Sequence, residues 1–516
     1  MKKLLSLLLI AVLLAAVALP AFAEQGLDDG NTLRGGTEKA ATALAAEASG
    51  FPEVRITLAD GLTLETVNAG SKDTKYPGNK VSFIGADGKS KSCENVELKG
   101  RGNFTWNHAG MDKKPYQLKL DSKEKVFGMD KAKKWVLLAN HADATLMRNR
   151  LAFDLAKAIG MPYTPEGVWV DVYVNDEYIG NYLICEKNEV GSNRVPLEDE
   201  YGVLCEIDGN YGTSEDVYYK TAKEKTVVVL SDSVADDVGE KNSVSEAAFK
   251  AFCDKLDKFE ALLYDSKATW SQIEELIDVG SFINYYFIQE LTEDPDGCRS
   301  SFYMWSDGKD DVIHLGPVWD YDSAMGAYAA TSLGGDPKVD YSIYIEKYMG
   351  SSSVGWFRQL FDFSEFDGLA VERYNSVISP VFNTIPSMIE SYLTDAFAAS
   401  AARNFEKWDG ILGNGSIFGS NGHSYADTYA GEVEYLRTWL QQRVSYLDSR
   451  YASSPVMEAH EHTDSDRNGL CDECGYRIRS TFSATLERIM RAIDPLGILS
   501  KLLNSTRNAF FKIMPC

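Results

Sequence analysis

The sequence has too few cysteines and too little positive charge for several classes of protein. Eight Cys in 516 residues are too sparse for a disulfide scaffold, and the five between residues 93 and 298 are expected to be buried thiols, with a Cys185–Cys205 bridge as the alternative. The formal net charge of −24 argues against nucleic-acid binding, because contacts to phosphates need a basic surface. Beyond the N-terminal residues, no stretch is apolar enough to span a bilayer.

The first 23 residues have the composition of a secretory signal peptide. Two lysines precede an apolar run over residues 4–19, and small residues follow at Ala21 and Ala23. An uncleaved membrane anchor is the alternative, but the run is shorter than the ~20 residues that a span needs. We expect cleavage near Ala23, a mature chain of charge −26 and a secreted or cell-surface location. Residues 24–50, rich in Gly and Ala, are expected to form a linker.

Alternating apolar residues predict that the first half of the chain is rich in strands. One helix is predicted over Thr145–Ile159, where apolar residues recur at i, i+4 spacing before Gly160. An Asn175-Asp176 turn predicts a hairpin. Strands are predicted at residues 54–58, 80–84, 96–99, 116–120, 168–174, 178–185 and 201–207.

Beyond residue 243, apolar residues recur at helical spacing, which predicts a helical second half. A short hairpin over residues 302–320 interrupts the helices, and its second strand is expected to end at Asp320. A strand-rich half followed by a helical half predicts an α+β fold with the two lobes of a protein kinase. The N-lobe is expected over about residues 51–210 and the C-lobe over about residues 211–455.

Three acids in the second half have a spacing that suggests phosphoryl transfer. Protein kinases place a catalytic Asp in a loop, a metal-binding Asn five residues later and a second metal-binding Asp after a hairpin. Asp296, Ser301 and Asp320 follow this spacing, with Ser in place of Asn. Because Mg²⁺ takes hard oxygen ligands, Asp320 and Asp322 are candidate ligands, and Asp296 is a candidate for orienting or deprotonating an acceptor hydroxyl. A turn or cap pair is the alternative for Asp320 and Asp322.

Seven motifs occur in order along the chain: Arg101–Trp106, Lys113–Asp121, Trp135–Asn140, Met147–Leu155, Tyr173–Glu186, Asp296–Gly297 and Trp319–Asp322. Together they resemble those of the spore coat protein H (CotH) kinase-like family. The resemblance covers residues 54 to 451 and implies an atypical protein kinase, with its domain over residues 51–455. It would transfer phosphate from ATP, with Mg²⁺ or Mn²⁺, to Ser or Thr of a surface protein.

The resemblance also assigns roles by position. It implies that Lys119 or Lys114 contacts the nucleotide phosphates, that Asp296 is the catalytic acid and that Asp320 binds metal. Lys119 shares a strand face with Gln117, which predicts that it points into a polar cleft, and a solvated surface charge is the alternative.

Three further residues keep two roles open. Arg101 and Arg148 are predicted either to clamp phosphate or to lock the fold through carboxylates. Glu186 is predicted either to lie near the nucleotide or to pair with Arg148.

Two features favour a different function. Ser301 is a poorer Mg²⁺ ligand than Asn, which puts the second metal ion in doubt, and no Gly-rich phosphate loop is present in the sequence. The alternative is a catalytically inactive, kinase-like surface binding or assembly module. A metal-dependent transferase for substrates other than protein is the third possibility.

The C-terminal residues contain a second candidate metal site. His460, His462, Cys471 and Cys474 predict a small loop over residues 456–479 that holds a structural Zn²⁺, with a Cys–Cys disulfide or free thiols as alternatives. Ca²⁺ is the weaker alternative, because an EF-hand-like start lacks its bidentate acid. Residues 480–516 are basic and amphipathic, which predicts contact with a membrane surface or a partner, or docking on the protein itself.

Overall fold

The computed structural model describes residues 50–215, 217–236, 241–328, 337–338 and 354–452. The expected signal peptide, nearly all of the linker, the predicted zinc loop and the basic tail lie outside these ranges. None of the helices within the described ranges has the length and hydropathy that a membrane span requires. The described residues form helices and sheets, so the α+β class predicted from the sequence is confirmed.

Seven strands form a closed barrel, which the sequence patterns did not predict. Its order is β1-β2-β3-β4-β5-β7-β6, and closure depends on a parallel pairing of β1 with β6, while the other pairs are antiparallel. The strands are β1 (Glu53–Thr57), β2 (Tyr76–Ile84), β3 (Ser90–Gly100), β4 (Tyr116–Val126), β5 (Met129–Leu138), β6 (Gly167–Val174) and β7 (Glu177–Glu186).

Alternation of side chains gives the barrel its own apolar core. In β1, for example, Val54 and Ile56 are buried while Arg55, between them, is partly accessible. Trp135, Leu118 and Tyr182 come from three further strands and pack in the same cluster. Two short helices lie between the strands, α1 (Leu64–Ala69) and α2 (Phe104–Asn107).

A second sheet of five strands joins segments that are far apart in sequence. Its order is β12-β11-β8-β10-β9. Strand β8 comes before the predicted lobe boundary near residue 210 and pairs with β11, which comes well after it. The two kinase-like lobes stay a prediction. The strands are β8 (Gly202–Ile207), β9 (Tyr218–Lys220), β10 (Val227–Ser233), β11 (Phe302–Asp307) and β12 (His314–Leu315).

Helices form most of the remaining structure and share a large apolar core with the second sheet. Side-chain caps explain several starts: Asn242 caps α4 and Asp278 caps α6. A π-helical turn, Tyr374–Ile378, joins α8 to α9. The helices are α3 (Arg148–Ala158), α4 (Ser243–Leu263), α5 (Trp270–Glu274), α6 (Val279–Thr292), α7 (Trp356–Leu360), α8 (Ser364–Arg373), α9 (Ser379–Phe382), α10 (Ile385–Tyr392), α11 (Asp395–Lys407) and α12 (Tyr429–Tyr451).

Several local details differ from the sequence prediction. Strand β12 ends at Leu315, so Asp320 lies in a loop rather than at a strand end. The predicted helix before Gly160 begins three residues later than expected, at Arg148. Cys185 and Cys205 are both buried free thiols, which excludes the alternative of a bridge between them.

Candidate active site

A cleft with a volume of about 810 Å³ is lined by residues of both the barrel and the second sheet. Strands β3, β4 and β5 supply one wall, and β8, β10 and β11 supply another. The loops that follow α6 and β12 complete the lining. This volume lies within the range of small-molecule and cofactor sites.

The loop after α6 carries Asp296 into the cleft. Helix α6 ends at Thr292, and its C-cap residue, Glu293, has a φ of 46°, which takes the chain out of the helix. The carbonyl of Asp294 then accepts a hydrogen bond from Gly297 N at 3.0 Å, and its carboxylate accepts one from Asp296 N at 3.3 Å. A Cβ at Gly297 would lie only 1.9 Å from Gln289 Oε1, so the loop packs directly against α6. The contact between this loop and α6 therefore fixes the position of Asp296.

The loop after β12 brings Asp320 and Asp322 to the same cleft. Asp320 has a φ of 71°, a conformation that costs a non-glycine residue energy and that recurs at functional sites. The backbone N–H of Tyr321 donates a hydrogen bond to Asn149 Oδ1 of α3 at 2.7 Å. This contact holds the strained loop against the helix that the sequence predicted.

Ser301 also lines the cleft, at the position where a kinase would have a metal-binding Asn. Its hydroxyl donates a hydrogen bond to Asp320 Oδ2 at 3.3 Å. Ser301 has a φ of 53°, so the strained backbone of Asp320 faces a second strained residue. The two positions predicted from kinase spacing are thus in contact.

We call Asp296, Asp320 and Asp322 the cleft acids. Burial raises the pKa of each carboxyl group above its ordinary value, and repulsion from Asp320 raises the pKa values of the other two further. The pKa of Asp296 rises to about 6, although the neighbouring Arg299 opposes the shift. Three carboxyl groups crowded in this way favour a cation that would share their charge.

The cleft acids fit one kind of metal site and not another. Among the described residues, no group of three or more His, Cys, Asp or Glu side chains is arranged to hold an ion by itself. Mg²⁺ at nucleotide sites takes one or two carboxylates and completes its shell with phosphate oxygens and water. Asp320 and Asp322, with the Ser301 hydroxyl nearby, fit that role.

Three cations also line the cleft. The guanidinium of Arg101 lies 4.7 Å from the centre of the Trp319 ring, and its buried Nη1 has no hydrogen-bond partner among the described residues. Lys99 lies in β3, two residues before Arg101, and Asp73 is 3.8 Å from its Nζ. Lys187 lies just past the end of β7, and burial lowers its pKa. An unpaired buried donor on Arg101, with two further cations in the same cleft, suits an anionic ligand.

The structure does not bring Lys119 or Lys114 to the cleft. Lys119 lies in β4, opposite Glu97 of β3 and Lys134 of β5 in the strand register. Lys114 donates a hydrogen bond to the carbonyl of Trp106 at 2.7 Å. Lys99, which lies opposite Gln117 across the β3–β4 pair, is one of the lysines that do line the cleft.

Arg148 and Glu186 have structural partners away from the cleft lining. Arg148 is fully buried, forms an ion pair with Asp143 and donates a hydrogen bond to Ala324 O at 3.0 Å. Of its two predicted roles, the structure shows the lock through a carboxylate. Glu186 pairs with Arg194 at 2.5 Å rather than with Arg148, which corrects that alternative.

Sequence reasoning missed several residues of the cleft. Lys99 could have been found from its i, i+2 relation to Arg101 in a strand. Lys187 directly follows Glu186, but nothing in the sequence marks it as buried. Glu206 and Asp208 reach the cleft only because β8 pairs with β11, a contact between distant segments. The predicted zinc ligands His460, His462, Cys471 and Cys474 lie outside the described residues.

Two comparisons with known proteins gave different results. A search of curated proteins finds no match. Among protein families, the one described as CotH kinase protein matches residues 98–447. The match includes Lys99 and Arg101, both acid-bearing loops and most of α12. Because the matched residues make up more than half of the chain, this protein belongs to the CotH kinase protein family.

Proposed function

We propose that this protein is a phosphotransferase that moves the terminal phosphate of ATP to a Ser or Thr hydroxyl of a protein. Membership of the CotH kinase family supports a kinase-like function. The choice of ATP, of a divalent metal and of a protein acceptor is our proposal. A cell-surface or extracellular acceptor follows from the signal peptide expected at the N-terminus.

The side chains of the cleft suit the two charges of a metal–nucleotide complex. The polyphosphate would contact Lys99, Arg101 and Lys187. Asp320 and Asp322 would hold Mg²⁺ or Mn²⁺, and a bound divalent ion would offset part of the phosphate charge. The buried Nη1 of Arg101, which has no hydrogen-bond partner among the described residues, would then have a phosphate oxygen as its acceptor.

Asp296 suits the acceptor side of the reaction. During transfer, the bond from the terminal phosphorus to its bridging oxygen breaks, and a bond to the acceptor hydroxyl oxygen forms. The nucleoside diphosphate leaves, and the hydroxyl proton passes to the Asp296 carboxylate. Because the pKa of Asp296 is about 6, the carboxylate is ionised at neutral pH and its affinity for a proton exceeds that of an ordinary Asp.

One observation carries the proposal. Asp296 and Asp320 come from loops separated by a hairpin, yet they line one cleft and lie close enough for Asp320 to raise the pKa of Asp296. A pair of acids that only cap turns would have no reason to share a cleft with Arg101 and Lys99.

The direct test is phosphate transfer from labelled ATP to a generic protein acceptor, with Mg²⁺ or Mn²⁺. We expect transfer by the wild-type chain and a loss of about 10²- to 10⁴-fold in Asp296→Asn, from removal of a proton acceptor. Asp320→Asn should lose both transfer and the metal-dependent part of nucleotide binding. Glu177→Gln, on the barrel surface, is the matched control and should leave transfer unchanged.

The same assay weighs the alternative of an inactive binding or assembly module. Ser301 in place of Asn favours that alternative, because it removes an amide ligand. If nucleotide binds but no transfer occurs with any metal, the module is the better description. If neither nucleotide nor metal changes the thermal unfolding of the wild-type chain, the proposed function is wrong.

A further inference from the structure

The substitution at Ser301 leaves a question about charge in the cleft. A kinase Asn at this position binds a second metal ion, which helps neutralise the transferring phosphoryl group. A Ser hydroxyl is a weaker ligand, so that positive charge needs another source. The loop that contains Ser301 has one cationic side chain between Asp296 and β11, that of Arg299.

Arg299 lies beside Asp296, on the rim of the cleft. Its Nη1 is 4.0 Å from Asp296 Oδ1, and its Nη2 donates a hydrogen bond to Asn210 Oδ1. Its Nε is buried and has no hydrogen-bond partner among the described residues. The side chain is 25% exposed, so it is held in place yet still open to the cleft.

The backbone around Arg299 is anchored separately from the side chain. The carbonyl of Arg299 accepts a hydrogen bond from Gly209 N at 2.8 Å, and its N–H donates one to Asp296 O at 2.9 Å. Asn210 Nδ2 lies 3.4 Å from Asp296 Oδ1, so the same Asn touches both the acid and the guanidinium. Loss of the Arg299 side chain would therefore leave the loop tied at several points.

We propose that Arg299 is a catalytic residue whose guanidinium stabilises the phosphoryl group during its transfer, in place of the charge that a second metal ion would supply. The proposal rests on the proposed function. Arg101 would contact the donor phosphates near Asp320, while Arg299 would contact the transferring group near Asp296. A fixed guanidinium suits this role because it is always charged and offers several donors to phosphate oxygens.

No additional reactant is required. The bonds that break and form are those of the transfer described above, and the acceptor proton still goes to Asp296. Arg299 exchanges no proton and keeps its charge throughout. Its hydrogen bonds to the phosphate oxygens strengthen as charge develops on them, which is the basis of transition-state stabilisation.

Two variants separate charge from anchoring. Arg299→Gln keeps N–H donors for Asn210 but removes the charge, whereas Arg299→Lys keeps the charge but loses the planar fork. We expect Arg299→Gln to lower kcat by about 10³-fold, at the low end for a catalytic arginine, with the Kd for Mg²⁺–ATP changed less than about threefold. Arg299→Lys should retain activity within about tenfold of the wild type. Asn210→Ala removes the anchor and should lower kcat by less than about tenfold.

The outcomes distinguish this inference from the proposed function. Transfer by the wild-type chain with undiminished kcat in Arg299→Gln overturns the role of Arg299 alone. Equal losses in Arg299→Gln, Arg299→Lys and Asn210→Ala also overturn it, because they indicate an anchor. No transfer by the wild-type chain overturns both proposals. If Arg299→Gln does not fold, as judged by thermal unfolding, the comparison of Arg299→Lys with Asn210→Ala decides: a loss in the lysine variant as large as in the alanine variant overturns the proposal.

Discussion

Two buried acids, Asp143 and Asp322, differ in how much of their charge is neutralised by hydrogen bonds and ion pairs within the protein. Asp143 is fully buried, accepts hydrogen bonds from Thr145 and the backbone of Arg148, and pairs with the Arg148 guanidinium. Asp322, in contrast, makes no hydrogen bond or ion pair with a described side chain, and burial and its neighbours raise its pKa well above the ordinary value. The protein itself supplies the positive charge that neutralises Asp143. In our proposal, a bound divalent ion supplies it for Asp322.

Asp143, through its ion pair with Arg148, helps to position the loops that carry the cleft acids. Arg148, held by Asp143, donates hydrogen bonds to the carbonyls of Ala324 and Met325, in the loop that follows Asp322. Met325 N in turn donates to Thr292 O at 2.6 Å, at the end of α6. A paired charge is thus used to fix the loops from which the cleft acids project, which is a common division between scaffold and site.

The largest predicted effect is a loss of stability when the charge of Asp143 is removed. Asp143→Asn leaves the Arg148 guanidinium buried without its charge partner, and breaking such a pair costs about 3–5 kcal/mol. We expect the free energy of unfolding to fall by this amount in chemical denaturation. The matched variant Asp154→Asn, which breaks the partly exposed Arg150–Asp154 pair, should cost less than about 1 kcal/mol. Equal effects would show that burial does not make the Asp143–Arg148 pair more important for stability than a partly exposed pair.

The next effect is the pH dependence of transfer. Asp296 must be ionised to accept the hydroxyl proton, and its pKa is about 6. Below pH 6 the rate should therefore fall by about tenfold per pH unit. The rate profile of the wild-type chain, measured with stability checked at each pH, tests this. A rate that stays level down to pH 4.5 would show that Asp296 titrates as an ordinary Asp.

A smaller effect separates the two strand lysines. Lys99→Met should weaken Mg²⁺–ATP binding by about tenfold, because it removes a cation that lines the cleft. Lys119→Met should change the Kd by less than about twofold, since Lys119 lies outside the lining. Calorimetric titration of both variants measures the difference. The opposite order would favour the role that the family resemblance gave to Lys119.

The smallest predicted effect is an increase in stability, which is unusual for the substitution of a site residue. Asp322→Asn removes a charge that burial and repulsion disfavour, so the ligand-free protein should become more stable by about 1 kcal/mol at pH 7. Because the folded pKa is raised, the destabilisation is absent below the unfolded pKa of about 4, grows as pH rises above it, and is complete once the pH has passed the folded pKa. The stabilisation by Asp322→Asn should therefore vanish at about pH 3, below the unfolded pKa. Destabilisation at pH 7 would show that Asp322 is balanced within the protein.

The sequence predicted local structure well where short-range chemistry decides it. The hairpin turn at Asn175 and Asp176 is present, and both residues have the positive φ that such turns require. The helix α12, Tyr429–Tyr451, lies in the half of the chain that was predicted to be helical. The spacing of Asp296 and Asp320 pointed to residues that do share a cleft. In each case the pattern lies within a few turns of the chain or in a known order of elements.

Several features that the sequence did not predict depend on contacts between residues that are far apart in the chain. Closure of the barrel depends on β1 and β6, more than a hundred residues apart, and no periodicity encodes that contact. Strand β5 was not predicted, because three lysines interrupt its apolar pattern. The partner of Glu186 is Arg194, eight residues away in a loop whose path the sequence does not define.

The most direct test of the central claim is calorimetric titration of the wild-type chain and Asp320→Asn with a non-hydrolysable ATP analogue, with and without Mg²⁺. If the cleft acids bind the metal ion of a metal–nucleotide complex, Mg²⁺ will lower the Kd of the ATP analogue for the wild-type chain at least tenfold. It will have little effect on the Kd for Asp320→Asn. Equal binding with and without Mg²⁺, or an equal response of the variant, would contradict the claim that these carboxylates are completed by a divalent ion.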